Sequence, residues 1–168
     1  MRVPALRHWV LTASASVDGY GPGQAVDGQT NTWWRSGESE PQWIQVDMGR
    51  TAMVGGFSLQ WGDPPAVSYT ISTSLDGVHW AMAHDVSNGD GGWDQVRLEA
   101  APARYIRVLV RRGRQGTGAS LVSLEVLGLW DQPVVTVDGD RRPEAAVMLD
   151  GPADTVWASS SRSAVLLV

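Results

Sequence analysis

The sequence predicts an all-β protein, an antiparallel β-sandwich or jelly roll, on three observations. Apolar or alternating runs of strand length recur along the chain, Gly, Pro, Asn and Asp separate them, and no segment sustains the period of an amphipathic helix. Many short strands joined by turn chemistry bury a core by packing sheet on sheet.

The elements follow in order. Asp27-Gly28 opens a run of short oxygen-bearing residues, Gln29, Thr30, Asn31 and Thr32, which favours a tight turn. Such a run serves as an Asx turn without metal, or wraps a hard cation with carboxylate, hydroxyl and carbonyl oxygens. Ile44, Val46 and Met48 then alternate with Gln45 and Asp47, the pattern of a half-buried strand, and Gly49 is expected to close it. Trp33, Trp34 and Trp43 crowd around this strand and are expected to plug the end of a core. Further strand runs lie at 54–61, 68–74, 78–84, 95–98, 105–110 and 121–127. Asp76-Gly77 predicts a hairpin turn, since that pair suits positive φ. Ile106, Val108 and Val110 face one way, and Tyr105, Arg107, Leu109 and Arg111 the other, so this strand has one wet face.

At 168 residues the chain accommodates one sandwich with length to spare, and a second complete one does not fit. No apolar run approaches the roughly 20 residues of a membrane span, and residues 1–9 lack the long apolar stretch of a signal peptide. The absence of cysteine excludes disulfides and thiolate metal sites and leaves the compartment open. A net charge of -5 argues against nucleic acid or an anionic bilayer and leaves neutral polar ligands. Nine tryptophans against one phenylalanine suit sugar recognition, because indole faces stack on the C–H faces of pyranose rings.

The last part of the chain carries an internal echo. Asp150-Gly151-Pro152-Ala153-Asp154-Thr155-Val156-Trp157 repeats the Asp-to-Thr and Asp-to-Trp spacing of residues 27–34, and Val137-Asp138-Gly139 echoes Val17-Asp18-Gly19. Residues 130–168 are therefore expected to be a linker plus the truncated start of a second, similar domain.

The turn and strand of residues 25–49 do not stand alone. Ala13-Ser14-Ala15-Ser16, the run from Tyr69 to Trp80, the run from Ala103 to Val108, and Ser123-Leu124-Glu125-Val126-Leu127-Gly128 occur in the same chain. In this order, across residues 7–129, they resemble the coagulation-factor five/eight type C, or discoidin, domain, with residues 13–16 resembling its opening strand, and within it the bacterial carbohydrate-binding modules of family thirty-two. The resemblance implies a galactose-binding-domain-like sandwich that binds a glycan on loops at one end, outside the cell or at its surface.

It also implies a structural calcium. Asp27 and Thr32 match the metal-binding pattern, and Gln24 and Thr30 stand where backbone carbonyls are supplied. The family's glutamate on the last strand is Ser123 here, with Glu125 two residues on, on the same face but about 7 Å along. For the glycan, Arg35 stands where galactose-binding relatives often carry a histidine, and it can donate two parallel hydrogen bonds. Trp61 and Asp63 border a compact loop that lacks the galactose binders' arginine, so galactose specificity is not implied. Trp93 ends a Gly-rich loop, and Tyr20 and Arg112 lie on two further loops bordering the same end.

No catalytic constellation stands out. His8, His79 and His84 lack metalloprotease spacing, and no serine sits in a nucleophile elbow. Residues 113–118 join two strands and open no helix, unlike a phosphate loop, and Asp85, Asp90 and Asp94 lie on or near a Gly-rich loop rather than across a fixed cleft. The expectation is a non-catalytic carbohydrate-binding module covalently linked to a glycan-active enzyme. Two alternatives stand beside it: a fragment of a multidomain glycoside hydrolase, and a cell-surface adhesion or phospholipid-binding module. The latter is disfavoured because the loops show no evident cluster of exposed Leu, Met or Phe.

Overall fold

The computed structural model describes residues 9–128, 136–137 and 140–141. Seven strands build the first unit: β1 (Val10–Ala13), β2 (Trp34–Arg35), β3 (Gln42–Trp61), β4 (Ala66–Ser74), β5 (Ala81–Val86), β6 (Trp93–Gly113) and β7 (Ser120–Leu127). Short 3₁₀ turns occupy Pro22–Ala25 and Arg114–Gly116. The all-β antiparallel architecture is the one the sequence predicts.

β3 and β6 run 20 and 21 residues because each joins two of the predicted runs. Their mutual register shifts between Asp47 and Ala52. There Gly49, at φ 75°, gives its N–H to the Asp47 carboxylate at 2.8 Å. The glycine expected to end the strand instead turns it, since its lack of a Cβ admits the left-handed conformation. The first half of β3 and the second half of β6 pair with each other, flanked by β1 on one side and by β4 and β5 on the other. The remaining halves pair with each other and extend through β7 to β2.

The faces between these layers form the core. Ile44, Val46, Ile71, Ile106, Val108 and Val110 come from one, and Phe57, Leu59, Leu121 and Leu124 from the other. Burying such a side chain is worth about 1.5–3 kcal/mol, and strand alternation aligns them without further instruction. The opposite face of β6 is wet, as its pattern predicts. There Arg107 lies 5.0 Å from the Trp43 ring centroid and 4.1 Å from that of Trp80. Its guanidinium also donates to Gln45 Oε1 at 3.2 and 2.7 Å.

Three local expectations need correction. Of Trp33, Trp34 and Trp43, only Trp34 is a core plug, with none of its surface exposed. Its indole N–H reaches Ala15 O and Ser16 Oγ at 3.1 Å each, satisfying the donor that burial would otherwise strand. Asp76-Gly77 does not make a two-residue hairpin, because that turn needs positive φ at both positions and only Gly77 has it. Instead residues 75–80 form a wider loop, in which the Asp76 carboxylate accepts the N–H groups of Val78 and His79 at 2.8 Å each, and β5 begins at Ala81. The opening strand covers 10–13 rather than 13–16.

The strand directions sort the connections. Segments 14–33, 36–41, 62–65, 87–92 and 114–119 gather at one end, and 48–51, 75–80 and the bend near 102 at the other. Among the described residues no helix is long and apolar enough to cross a membrane. The second unit, Trp130–Val168, contains β8 (Thr136–Val137) paired antiparallel with β9 (Asp140–Arg141). The echo at 150–157 lies outside the described residues.

Candidate functional site

The end bearing the long loops is tied together by backbone hydrogen bonds. Trp61 N–H donates to Gly92 O (2.8 Å), Gly62 N–H to Ser120 O (2.9 Å), Ser120 N–H to Pro64 O (2.7 Å) and Arg114 N–H to Pro65 O (3.0 Å). The Glu40 carboxylate accepts the Gly113 N–H at 2.6 Å. A Cβ on Gly113 would fall 1.8 Å from Gly118 O, so this loop closes only around glycine.

Arg35 is the centre of the assembly. It pairs with Ser120 across β2 and β7, and its side chain is half-buried. Nη1 donates to Asp63 O at 3.3 Å and Ser120 Oγ at 3.2 Å, and Nη2 donates to Thr117 O at 3.2 Å. A guanidinium has five N–H donors, so two remain, one on Nε and one on Nη2. No carboxylate pairs with it among the described residues. A half-buried, unneutralised cation with two donors left is suited to an acceptor from outside the chain.

The other predicted ligand residues fall into two groups. Tyr20, Asp63, Trp93 and Arg112 lie exposed at this end. Asp63 gives its carbonyl to Arg35 and to the Ser120 hydroxyl, leaving its carboxylate without a hydrogen bond among the described residues. Trp93 is 56% exposed at the start of β6, and Arg112 has no polar partner among the described residues. Tyr20 accepts the Arg35 N–H on its carbonyl at 3.2 Å, and its ring stacks on Trp33 with centroids 5.1 Å apart.

Trp61 departs from expectation. It is only 4% exposed and forms part of the wall beneath the loops, not a surface for a ligand. Its indole N–H donates to Asp94 Oδ2 at 3.0 Å, and the same oxygen accepts the Tyr69 hydroxyl at 2.7 Å. Burial first, and then the Asp94 carboxylate, push the ionisation of Tyr69 above the ordinary phenol range. Sequence reasoning assigned Trp33 to the core, weighed Asp90 only for catalysis and Arg114 only within a phosphate-loop comparison, and named none of them as a ligand contact. Strand alternation was the available signal for Trp33: if Trp34 points inward, Trp33 and Arg35 point outward together.

The candidate cation loop has the predicted pair in contact. Asp27 Oδ2 accepts the Thr32 hydroxyl at 2.8 Å, and Asp27 Oδ1 accepts the Gln29 N–H at 2.8 Å. Gln24 donates to Gly19 O at 3.0 Å, while its own Oε1 is buried with no hydrogen-bond partner. Thr30 is exposed. Glu125 and Ser123 oppose Ser58 and Gln60 on β3, while Leu124 and Val126 contribute to the core. Among the described residues no three His, Cys, Asp or Glu side chains gather as a metal-binding group.

Three of the residues considered for catalysis have other partners: His79 pairs with Asp76 at 2.7 Å, Asp85 with Arg111 at 2.7 Å, and Asp94 accepts from Trp61 and Tyr69. At the end opposite the long loops, Leu75 and Val78 on the 75–80 loop and Met82 on β5 are 56%, 72% and 69% exposed.

Residues 10–124 match the F5/8 type C domain. The chain is 35% identical over 129 residues to the polysaccharide lyase 8 family protein HylA of Enterococcus faecalis, a match covering 75% of this chain and 9% of that protein. Its structure resembles chitosan-binding module 1 of a chitosanase/glucanase from Paenibacillus sp. IK-5, with a TM-score of 0.68 and 35% identity over 71% of this chain and 94% of the module. Chitosan-binding module 2 of the same enzyme, solved with chitotriose, gives a TM-score of 0.67 and 31% identity over 71% of this chain and 95% of the module. The chain thus belongs to the F5/8 type C, or discoidin, domain family, as a non-catalytic module of the carbohydrate-binding type.

Proposed function

We propose that the loop end binds a glycan containing amino sugars, and that the module holds a covalently linked glycan-active enzyme to its polysaccharide outside the cell. The observation that carries this reading is Arg35, which clamps segments 62–65 and 117–120 and keeps two donors for sugar oxygens. Asp63 and Asp90 are exposed at the same end, and their carboxylates have no hydrogen-bond partner among the described residues. They suit hydroxyl groups and, better, the ammonium of an unacetylated amino sugar. The chitosan-binding relatives support that class. The small share of HylA that the chain spans supports a role as one module in a longer protein. Tethering raises the effective substrate concentration without altering the chemistry.

The test is calorimetric titration with chitosan oligosaccharides, neutral galactose-containing oligosaccharides and oligouronates. Chitosan oligosaccharides should bind tightest, and Arg35→Ala should weaken them at least about tenfold, the loss of two charge-assisted hydrogen bonds. Equal affinity in Arg35→Ala, or preference for the uronates, would refute the reading.

We also propose a structural calcium in the 24–32 loop. Asp27, Thr32 and carbonyls near Gln24 and Thr30 would hold it, with Glu125 as a more distant acid. The support is the Asp27–Thr32 contact and the orphaned Gln24 Oε1, an oxygen of the kind calcium accepts. A phospholipid-surface reading draws on Leu75, Val78 and Met82, but Asp76 and Glu99 stand beside them in the same part of the molecule. Sedimentation with anionic liposomes separates the two functions.

A further inference from the structure

Tyr20 and Trp33 form a stacked aromatic pair at the loop end. Their rings stack at 5.1 Å with planes 28° apart, yet neither belongs to the hydrophobic core nor packs against it. Tyr20 keeps 37% of its surface exposed. Trp34, Trp61 and Trp80 all donate their indole N–H to an acceptor. The Trp33 indole N–H and the Tyr20 hydroxyl have no hydrogen-bond partner among the described residues. A ring pair that neither fills the core nor satisfies its polar tips is weakly explained by folding alone.

Its place gives it a use. Trp33 lies two residues before Arg35 on the outward side of the chain, about 7 Å away along an extended backbone. The Tyr20 carbonyl accepts the Arg35 N–H at 3.2 Å, and Val17 N–H donates back to Arg35 O at 3.0 Å, fixing the 17–20 turn alongside Arg35. We propose that the Tyr20–Trp33 pair is a second sugar subsite, which takes the pyranose ring next to the one held at Arg35. Its open ring surface covers the C–H face of that sugar, and the free indole N–H and hydroxyl bond its ring substituents. The module then reads a stretch of glycan chain rather than a single terminal residue. This inference rests on the reading of the loop end as a glycan site.

The experiment is titration of the full chain with glucosamine and with chitotriose, in wild type and in Trp33→Ala, Trp33→Phe and Tyr20→Ala. In the wild type chitotriose should bind about tenfold or more tighter than glucosamine. Trp33→Ala and Tyr20→Ala should each cut that ratio about three- to tenfold, Trp33→Ala should leave glucosamine affinity unchanged, and Trp33→Phe should restore most of the ratio. An undiminished ratio in Trp33→Ala, or loss of glucosamine affinity in step with chitotriose, overturns the subsite while leaving Arg35 as a glycan contact. If wild type binds neither sugar, the amino-sugar reading and the subsite fall together.

Discussion

Asp94 shows how one residue serves the site without touching a ligand. Its Oδ2 accepts both the Trp61 indole N–H and the hydroxyl of fully buried Tyr69. Asp94→Ala would strand two donors, at about 1–3 kcal/mol each. It should lower unfolding stability by about 2–4 kcal/mol in urea titration, whereas Asp94→Asn, which keeps a carbonyl acceptor, should lose about half as much. Equal losses in the two variants would show that the acceptor is not what matters. The exposed loop at 75–80 offers a test of a different kind. His79 is raised above its ordinary value by its hydrogen bond to Asp76 and then by that residue's charge, and the Asp76 carboxyl is held below the usual range by the same contact and by backbone N–H groups. The contribution of His79 is complete below the ordinary imidazole value near 6.5 and is lost as pH rises through its raised folded value. That of Asp76 is present above the ordinary carboxylate range and lost as pH falls through its depressed one. An NMR titration should therefore place the His79 midpoint above about 6.5, returning toward it in Asp76→Asn. A midpoint unmoved by the substitution would contradict the ion pair.

At the scale of elements, the strands carry the information and the loops carry the work. Alternation along 43–48 and 105–111 sufficed to separate the buried face from the wet one, because side-chain direction in a strand is a local property of the backbone. The same rule, applied to the short β2, sends Trp34 into the core and leaves Trp33 and Arg35 outside. The Asp27 loop was also legible, since its residues contact one another within a few positions of sequence. If it binds calcium, the native state gains about 2.7 kcal/mol at a hundredfold excess over Kd, and the melting temperature should rise by several degrees. Asp27→Ala should abolish that rise. Melting curves that coincide with calcium and with chelator would leave the loop as an Asx turn alone.

At the scale of the whole molecule, the layers bring five segments to one end and the exposed Leu75 and Val78 to the other. The sequence by itself determined the β class, the buried and wet faces, the family, and the loop region where a ligand would be sought. Each of these depends on local periodicity or on motifs within a short stretch of chain. Only the tertiary structure decided that Trp61 is a buried support, that Trp33 stands outside the core beside Tyr20, and that Arg35 is a clamp as well as a donor. The three acceptors of Arg35 lie 28, 82 and 85 residues away in sequence. Such partners meet through the register of antiparallel strands and the bends in β3 and β6, and no local pattern encodes them.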